Sequence, residues 1–345
     1  MESGAAFRVQ AAACRELGSP MYGELLDRAA ADIDAGGPVA EVLEGHEDDP
    51  GPSALALRLL GSVHRLVLER RAGGLAAFYP SVGGTWEVDG GWRAFRELLV
   101  EQPDAVREWL DRAPQTNEVG RAAALYGGLL HVERDLPLRL FEIGSSGGLN
   151  LLADRFGYVD DTGSRFGAAT SDVVLDHAWH GRRLRPWPDL EVVERVGSDL
   201  HPVDTSTTEG RLALTAYVWP DQRTRLERLR AALREAAADP PEVRRQDARS
   251  FVAGLEPADG TTTVLWHSVM WQYLPPADRD AITARLEELG AAATGRRRLV
   301  HLRAEPARRA EGGEHEFLVR LRSWPDGDDQ VLGTMAAHGT PVTWE

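Results

Sequence analysis

The densest chemical signal in the chain is Glu142-Ile143-Gly144-Ser145-Ser146-Gly147-Gly148, set between a short apolar run at 138–143 and a helically spaced segment at 149–156. Glycines at such a bend let the backbone turn sharply and approach a ligand with no Cβ in the way. A parallel sheet binds its ligand beyond the carboxyl ends of its strands, and a helix that follows offers unpaired N–H groups at its start. The spacing fits an acidic-x-Gly-x-x-x-Gly loop better than a phosphate-binding G-x-G-x-x-G loop. The same residues also satisfy G-x-S-x-G, the nucleophile elbow of α/β-hydrolases, with Ser146 as nucleophile and His338 as its histidine. Two features oppose that alternative: the chain ahead of the loop reads as helical where a hydrolase places strands, and no HGGG-like oxyanion segment precedes the loop.

A second group, His267, Trp271, Gln272 and Tyr273, follows a run of β-branched residues at 262–266. At a strand's carboxyl end these are catalytic and substrate-binding candidates. A histidine there could remove a proton from a bound hydroxyl or amine, and an aromatic face could lie against a ligand cation or ring. Core packing around a satisfied histidine is the alternative. Asn117, Glu118 and Arg121 precede the first strand; Arg121 could pair with a ligand carboxylate, or Glu118 and Arg121 could form an exposed i, i+3 pair. His177 and His180 form an H-x-x-H pair without a third ligand, and no metal site is expected.

The elements that must hold these residues change character along the chain. Segments at 7–17, 21–34, 53–71 and 92–100 carry apolar residues at three- and four-residue spacing, which predicts helices. Gly36-Gly37-Pro38 and the stretch 48–52 break them, and 80–91 reads as a glycine-rich loop. From 116 onward, strands at 138–143, 192–196, 243–246, 262–266 and 299–303 alternate with helices at 119–131, 212–218, 223–238 and 279–289. Thr116 or Asn117 is the candidate cap of the helix over 119–131. Such alternation predicts a mostly parallel sheet covered by helices. The final strands, 316–324 and 330–336, have no helix between them and should pair antiparallel. The expected division is a helical region over 1–115, a lid or a surface for a second copy or a partner protein, and a Rossmann-like domain over 116–345 with an insertion at 158–190. The helices and the insertion are the expected walls of an acceptor pocket.

The loop Glu142-x-Gly144-x-Ser146-x-Gly148 resembles the first motif of class I S-adenosylmethionine-dependent methyltransferases. More narrowly, the chain resembles an actinobacterial family, domain of unknown function 2332, over nearly its whole length. The motifs that carry this are 115–121 (QTNEVGR), 141–151 (FEIGSSGGLNL), 218–222 (VWPDQ), 266–274 (WHSVMWQYL) and His338-Gly339. The resemblance implies a seven-stranded sheet with an antiparallel C-terminal strand, and S-adenosylmethionine or S-adenosylhomocysteine as cofactor. It implies cofactor contacts from Glu142, Gly144, Ser145, Ser146, Gly148 and Asn150, from Asp199 with Leu200 at the ribose, and from Asp247 with Ala248 at the adenine. Arg121 and His267 complete that set, and Asn117 joins Trp271, Gln272 and Tyr273 on the substrate side. Asp199 follows Glu142 by 57 residues, where a compact nucleotide-binding unit needs about 20, so the insertion must loop out. Cap or turn roles are the alternatives for Glu142, Asp199 and Asp247.

Composition narrows the function further. The 345 residues carry a formal charge of −15, which repels phosphate backbones, so a small-molecule substrate is expected and a nucleic acid is not. Arg296-Arg297-Arg298 reads as a solvated strand entrance. The chain contains no lysine; lysine-anchored pyridoxal chemistry and a Walker-A loop are therefore excluded. The single cysteine, Cys14, lies on an apolar helix face and reads as a buried structural thiol. With no long apolar run and no signal-like start, a cytoplasmic enzyme is expected. Methyl transfer to a small molecule within a biosynthetic pathway is the leading expectation. A cofactor-binding protein with other chemistry, or a non-catalytic partner subunit, is the first alternative.

Overall fold

The structure, a computed structural model, describes residues 3–46, 54–112, 114–115 and 117–345. The stretch 48–52 and the proposed cap Thr116 lie outside them. The chain forms two compact units: residues 1–116 with 207–227, and residues 117–206 with 228–345. The sequence reading gave 207–227 to the second domain. The first unit is helical, as the spacing predicts, with helices at Ser3–Glu16, Pro20–Asp34, Leu55–Leu68 and Val88–Glu101 among others. Ser19 caps the second of these by accepting from Tyr22 N, and Pro20 suits its first turn. Their apolar stripes meet in one core around Leu25, Leu26, Leu59, Val63 and Phe95, joined by Trp219 from the returning segment. Asp221 fixes that return, accepting from Ser19 Oγ at 2.6 Å and Met21 N at 3.1 Å. His64 is fully buried between Ser81 Oγ (2.8 Å) and the Ala216 carbonyl (3.0 Å). Cys14 is buried here too, and burial pushes its thiol up to about 11.

The second unit is a mixed α/β body built on a nine-stranded sheet. In chain order its strands are β1 (Leu138–Ile143), β2 (Gly157–Val159), β3 (Arg165–Gly167), β4 (Val174–Leu175), β5 (Trp179–Gly181) and β6 (Val192–Asp199). They continue with β7 (Glu242–Arg245), β8 (Thr261–Ser268), β9 (Arg297–Ala307), β10 (Glu316–Trp324), β11 (Asp328–Met335) and β12 (Val342–Trp344). The large sheet runs β5-β12-β11-β10-β9-β8-β1-β6-β7; β2, β3 and β4 form a small sheet of their own. The five strands from β7 to β9 are parallel, and β9 to β12 form an antiparallel meander. Seven strands with one antiparallel end were expected. The surplus arises because β12 and β5, too short for a periodic signal, extend the edge, β12 pairing with β11 and β5 with β12.

β1 is the switch point. The chain leaves it for β6 and β7 on one side, then returns through β8 and β9 on the other. Register fixes the faces. Glu142 lies beside Trp266, and Trp266 beside Leu302. Leu302 fills the space at Gly128, so this face is covered by helix Ala122–Leu129. His267, next along, pairs with Arg303 and faces helix Pro276–Ala291 on the other side. Two predicted local structures differ. The segment after the loop is a 3-10 helix, Leu149–Arg155. The helix at 119–131 is split into a 3-10 turn, Val119–Arg121, and Ala122–Leu129, and Glu118 caps the turn by accepting from Gly120 N. Asn117, a candidate cap, instead accepts from Leu149 N at 3.1 Å.

Candidate functional site

The switch-point loop is built from strained backbone. Gly144 and Gly148 take φ of 68° and 73°, which suits glycine; Ser146 (53°), Asn117 (23°) and Val269 (50°) hold the same region at greater cost. For a β-branched residue such as Val269 this is an outlier, and strain of this kind collects at functional sites. The loop's N–H groups are mostly turned inward. Ser145 N donates to the Ser198 carbonyl, Ser146 N to Asp199 Oδ2 at 2.9 Å, and Gly148 N to the Ser145 carbonyl. Asp199 Oδ1 accepts from His201 N at 2.9 Å, so that carboxylate shapes the loop and the turn after β6.

The two loop glycines serve different ends. A Cβ on Gly148 would lie 2.7 Å from Val243 Cγ2 and 2.9 Å from Pro241 Cγ. That glycine is required by packing against β7, not by an approaching ligand. Gly144 is exposed, and its nearest neighbour is the flexible Met270 side chain at 3.0 Å. With a 3-10 segment in place of the expected helix, a ligand at this loop would be held by side chains rather than by a helix terminus.

Glu142 is the site's most perturbed group. It is buried, and burial pushes its carboxyl up to about 8, with the charge of Asp199 adding to the rise. Trp266, Arg121 and Asn150 stand near enough to oppose it. Yet Glu142 Oε2, Asn150 Oδ1 and Trp266 Nε1 are all buried without a hydrogen-bond partner. Trp266 Nε1 and the Asn150 side chain are the nearest polar groups to the Glu142 carboxyl and hold it down, though none of the three atoms makes a hydrogen bond of good geometry on this face of the sheet. Arg121 Nη1 reaches the Ser268 carbonyl at 3.5 Å at the same end of β8.

Of the predicted residues, Asn117, Arg121, Glu142, Ser145, Ser146, Asn150 and Asp199 gather around this loop. The remaining predicted residues are more exposed, serve as caps or lie on the other face. Asp247 follows Gln246, whose N–H donates to the Asp199 carbonyl at 3.0 Å, and it caps helix Ala248–Ala253 by accepting from Ser250 N at 2.8 Å, which lowers its pKa. Leu200 is 61% exposed and Tyr273 54% exposed, and Gln272 is exposed beside it. His267 lies on the opposite face from Glu142 and lines a different space, together with Trp271.

That space is a cavity of about 370 Å³ between helix Pro276–Ala291 and strands β8 to β10. His267 Nδ1 meets Glu305 Oε1 at 2.7 Å, and its Nε2 meets His301 Nε2 at 3.0 Å. Trp271 stacks on the His267 ring with centroids 4.9 Å apart. Glu305 Oε1 also accepts from Met270 N at 3.1 Å, pinning the turn after β8. Burial holds His301 well below the ordinary imidazole value, with His267 adding to the effect. His301, Glu305, Arg303 and Arg320 were missed from sequence. The signal was the alternation of polar residues at 301, 303 and 305, which reads as the wet side of a half-buried strand; a helix covers that side instead. Within the insertion, His180 meets Asp161 at 3.4 Å. Among the described residues no group of three or more His, Cys, Asp or Glu is placed to hold a metal, and no helix is long and apolar enough to cross a membrane.

Fold and site together define a mixed α/β protein whose large, mostly parallel sheet carries a buried acidic cradle at its switch point. The chain belongs to the family described as "Uncharacterized protein conserved in bacteria (DUF2332)", which matches residues 4–344. No curated protein and no solved structure matches it.

Proposed function

We propose that this chain is an S-adenosylmethionine-dependent, methyltransferase-like enzyme acting on a small molecule, with the cofactor or S-adenosylhomocysteine held at the switch point. One observation carries the reading: the buried acceptors Glu142 Oε2 and Asn150 Oδ1 lack partners at the carboxyl end of the central strand. With Trp266 and Asn150 beside Glu142 but no well-formed hydrogen bond between them, the buried acceptors leave room for a ligand that brings better-placed donors. The α-ammonium of an amino-acid tail supplies N–H donors and the positive charge that a buried carboxylate lacks. Asp199 retains lone pairs for ribose hydroxyls beside its two backbone bonds, and Asp247 and Ala248 follow the neighbouring β7. Exposed Gly144 and the Met270 side chain beside it would form the entrance. When bound, the cofactor supplies an electrophilic methyl carbon. The protein's part is positioning, worth up to about 7–11 kcal/mol in well-oriented systems.

Mass spectrometry of purified protein for a co-purifying adenosyl compound, followed by calorimetry with both compounds, tests the reading. Binding weakened at least about tenfold by Glu142→Gln, which removes a charge-assisted hydrogen bond, supports it; no binding to the wild type overturns it. Binding without transfer of labelled methyl to any small acceptor would leave a non-catalytic cofactor-binding subunit. The left-handed Ser146 (φ 53°) has the strained backbone of a nucleophile elbow. However, β1 is the first strand among the described residues, so the sheet lacks the strands that precede such an elbow. Fluorophosphonate labelling abolished by Ser146→Ala would favour hydrolysis instead.

A further inference from the structure

The cavity on the far face of the sheet has its own charge problem. Arg303 and Arg320 are paired in register on β9 and β10, and His267 extends the same row onto β8. Both guanidinium groups meet one oxygen, Asp329 Oδ2, at 2.7 and 2.9 Å. Their side chains are 20% and 33% exposed. Elsewhere in the cavity the charges are matched. Arg322 pairs through two nitrogens with Glu287, and Glu305 faces His267 and two backbone N–H groups. One carboxylate therefore serves two arginines, and each arginine spends a single hydrogen bond of the five it could donate. Glu305 Oε2, meanwhile, is buried with no donor. Trp271 and Leu318 supply apolar wall, and the volume falls within the range of small-molecule sites.

We propose that this cavity binds a small organic carboxylate, its anion held by Arg303 and Arg320 and its body against Trp271 and the His267–His301 pair. The site is separate from the switch-point cradle and does not depend on what that cradle binds. Asp329, at the start of β11, acts as a built-in competitor for the same guanidinium fork.

The test titrates the full-length protein with benzoate, with neutral benzamide and with inorganic phosphate, following tryptophan fluorescence and the imidazole NMR signals of His267 and His301. Benzoate is expected to bind at least about tenfold more tightly than benzamide, the value of one charge-assisted hydrogen-bond pair, and to shift both imidazole signals. Arg320→Gln should weaken benzoate about tenfold. Asp329→Asn, which frees both guanidinium groups, should tighten it several-fold, an outcome that a merely damaged fold would not produce. Benzoate that fails to move the imidazole signals in both the wild type and Asp329→Asn overturns the proposal. So does phosphate binding more tightly than benzoate, or Asp329→Asn leaving the affinity unchanged.

Discussion

Glu142 offers the sharpest test of the acidic cradle. Its carboxyl lies at about 8 in the folded protein against an ordinary 4.5, chiefly through burial. Below about pH 4.5 both the folded and unfolded chains hold the proton, and the site costs nothing. As pH rises, the unfolded chain ionises first while the folded chain keeps its proton, so stability falls with pH until the folded carboxyl also titrates near pH 8. At about 1.4 kcal/mol per pH unit, the loss across that window reaches roughly 5 kcal/mol as a ceiling. Glu142→Gln keeps the shape and polarity of the protonated acid and cannot ionise. It should match the wild type near pH 5 and exceed it by several kcal/mol near pH 8. Urea unfolding at both pH values, read by the circular dichroism of the sheet-containing unit, measures the difference. A linked effect follows: a cationic ligand binding near neutral pH should expel up to one proton from the wild type and none from the variant, as calorimetry in two buffers of different ionisation enthalpy reveals. If Glu142→Gln kept the wild-type slope, the carboxyl would already be ionised in the folded state, and the case for a missing ammonium donor would fall with it.

Gly148→Ala should destabilise the protein by about 2 kcal/mol or more, because a Cβ in the left-handed region would also press on Val243. Gly144→Ala, which meets only Met270, should cost about half as much; equal losses in thermal unfolding would contradict the separate roles given to the two glycines. Asp247→Ala should lower stability by about 1 kcal/mol through loss of its cap, and unchanged stability would remove the structural role. His64 carries the opposite pH sign to Glu142. Burial holds it down at about 4 from 6.5, so the helical unit should lose roughly 3 kcal/mol as pH falls through that window; an acid titration of His64→Gln that still showed this loss would refute the assignment.

Much of the fold was legible because periodicity is a local property. The strands at 138–143 and 316–324 and the helix at 223–238 were read at their observed bounds, since long or strongly patterned segments announce themselves. What escaped was set by distant partners. β12 and β5 are three residues each and are held only by distant partners, β12 between β11 and β5, and β5 on β12. The 3-10 turn after the loop forms where Asn117, far back in the chain, takes the Leu149 N–H. The site divides along the same line. The glycine loop, with its acidic neighbours Glu142 and Asp199, stood out because glycine and carboxylate choices are visible residue by residue. That His267 would face away from Glu142 could be learned only from the register of β8 against β1, and the partners His301 and Glu305 only from knowing which side of β9 a helix covers.

The return of residues 207–227 to the helical unit bears on how the gene can be divided. A fragment ending at the close of the N-terminal helices would leave Trp219 out of a core that includes Leu25 and Phe95, and Ser19 and Met21 without the carboxylate of Asp221. The complementary fragment would carry Leu214, Ala216, Tyr217 and Trp219, all buried in the intact chain, with nothing to cover them. Halves expressed on that boundary should therefore aggregate, whereas excising 207–227 along with the N-terminal helices and bridging the gap by a short linker gives the sheet unit its best chance of standing alone.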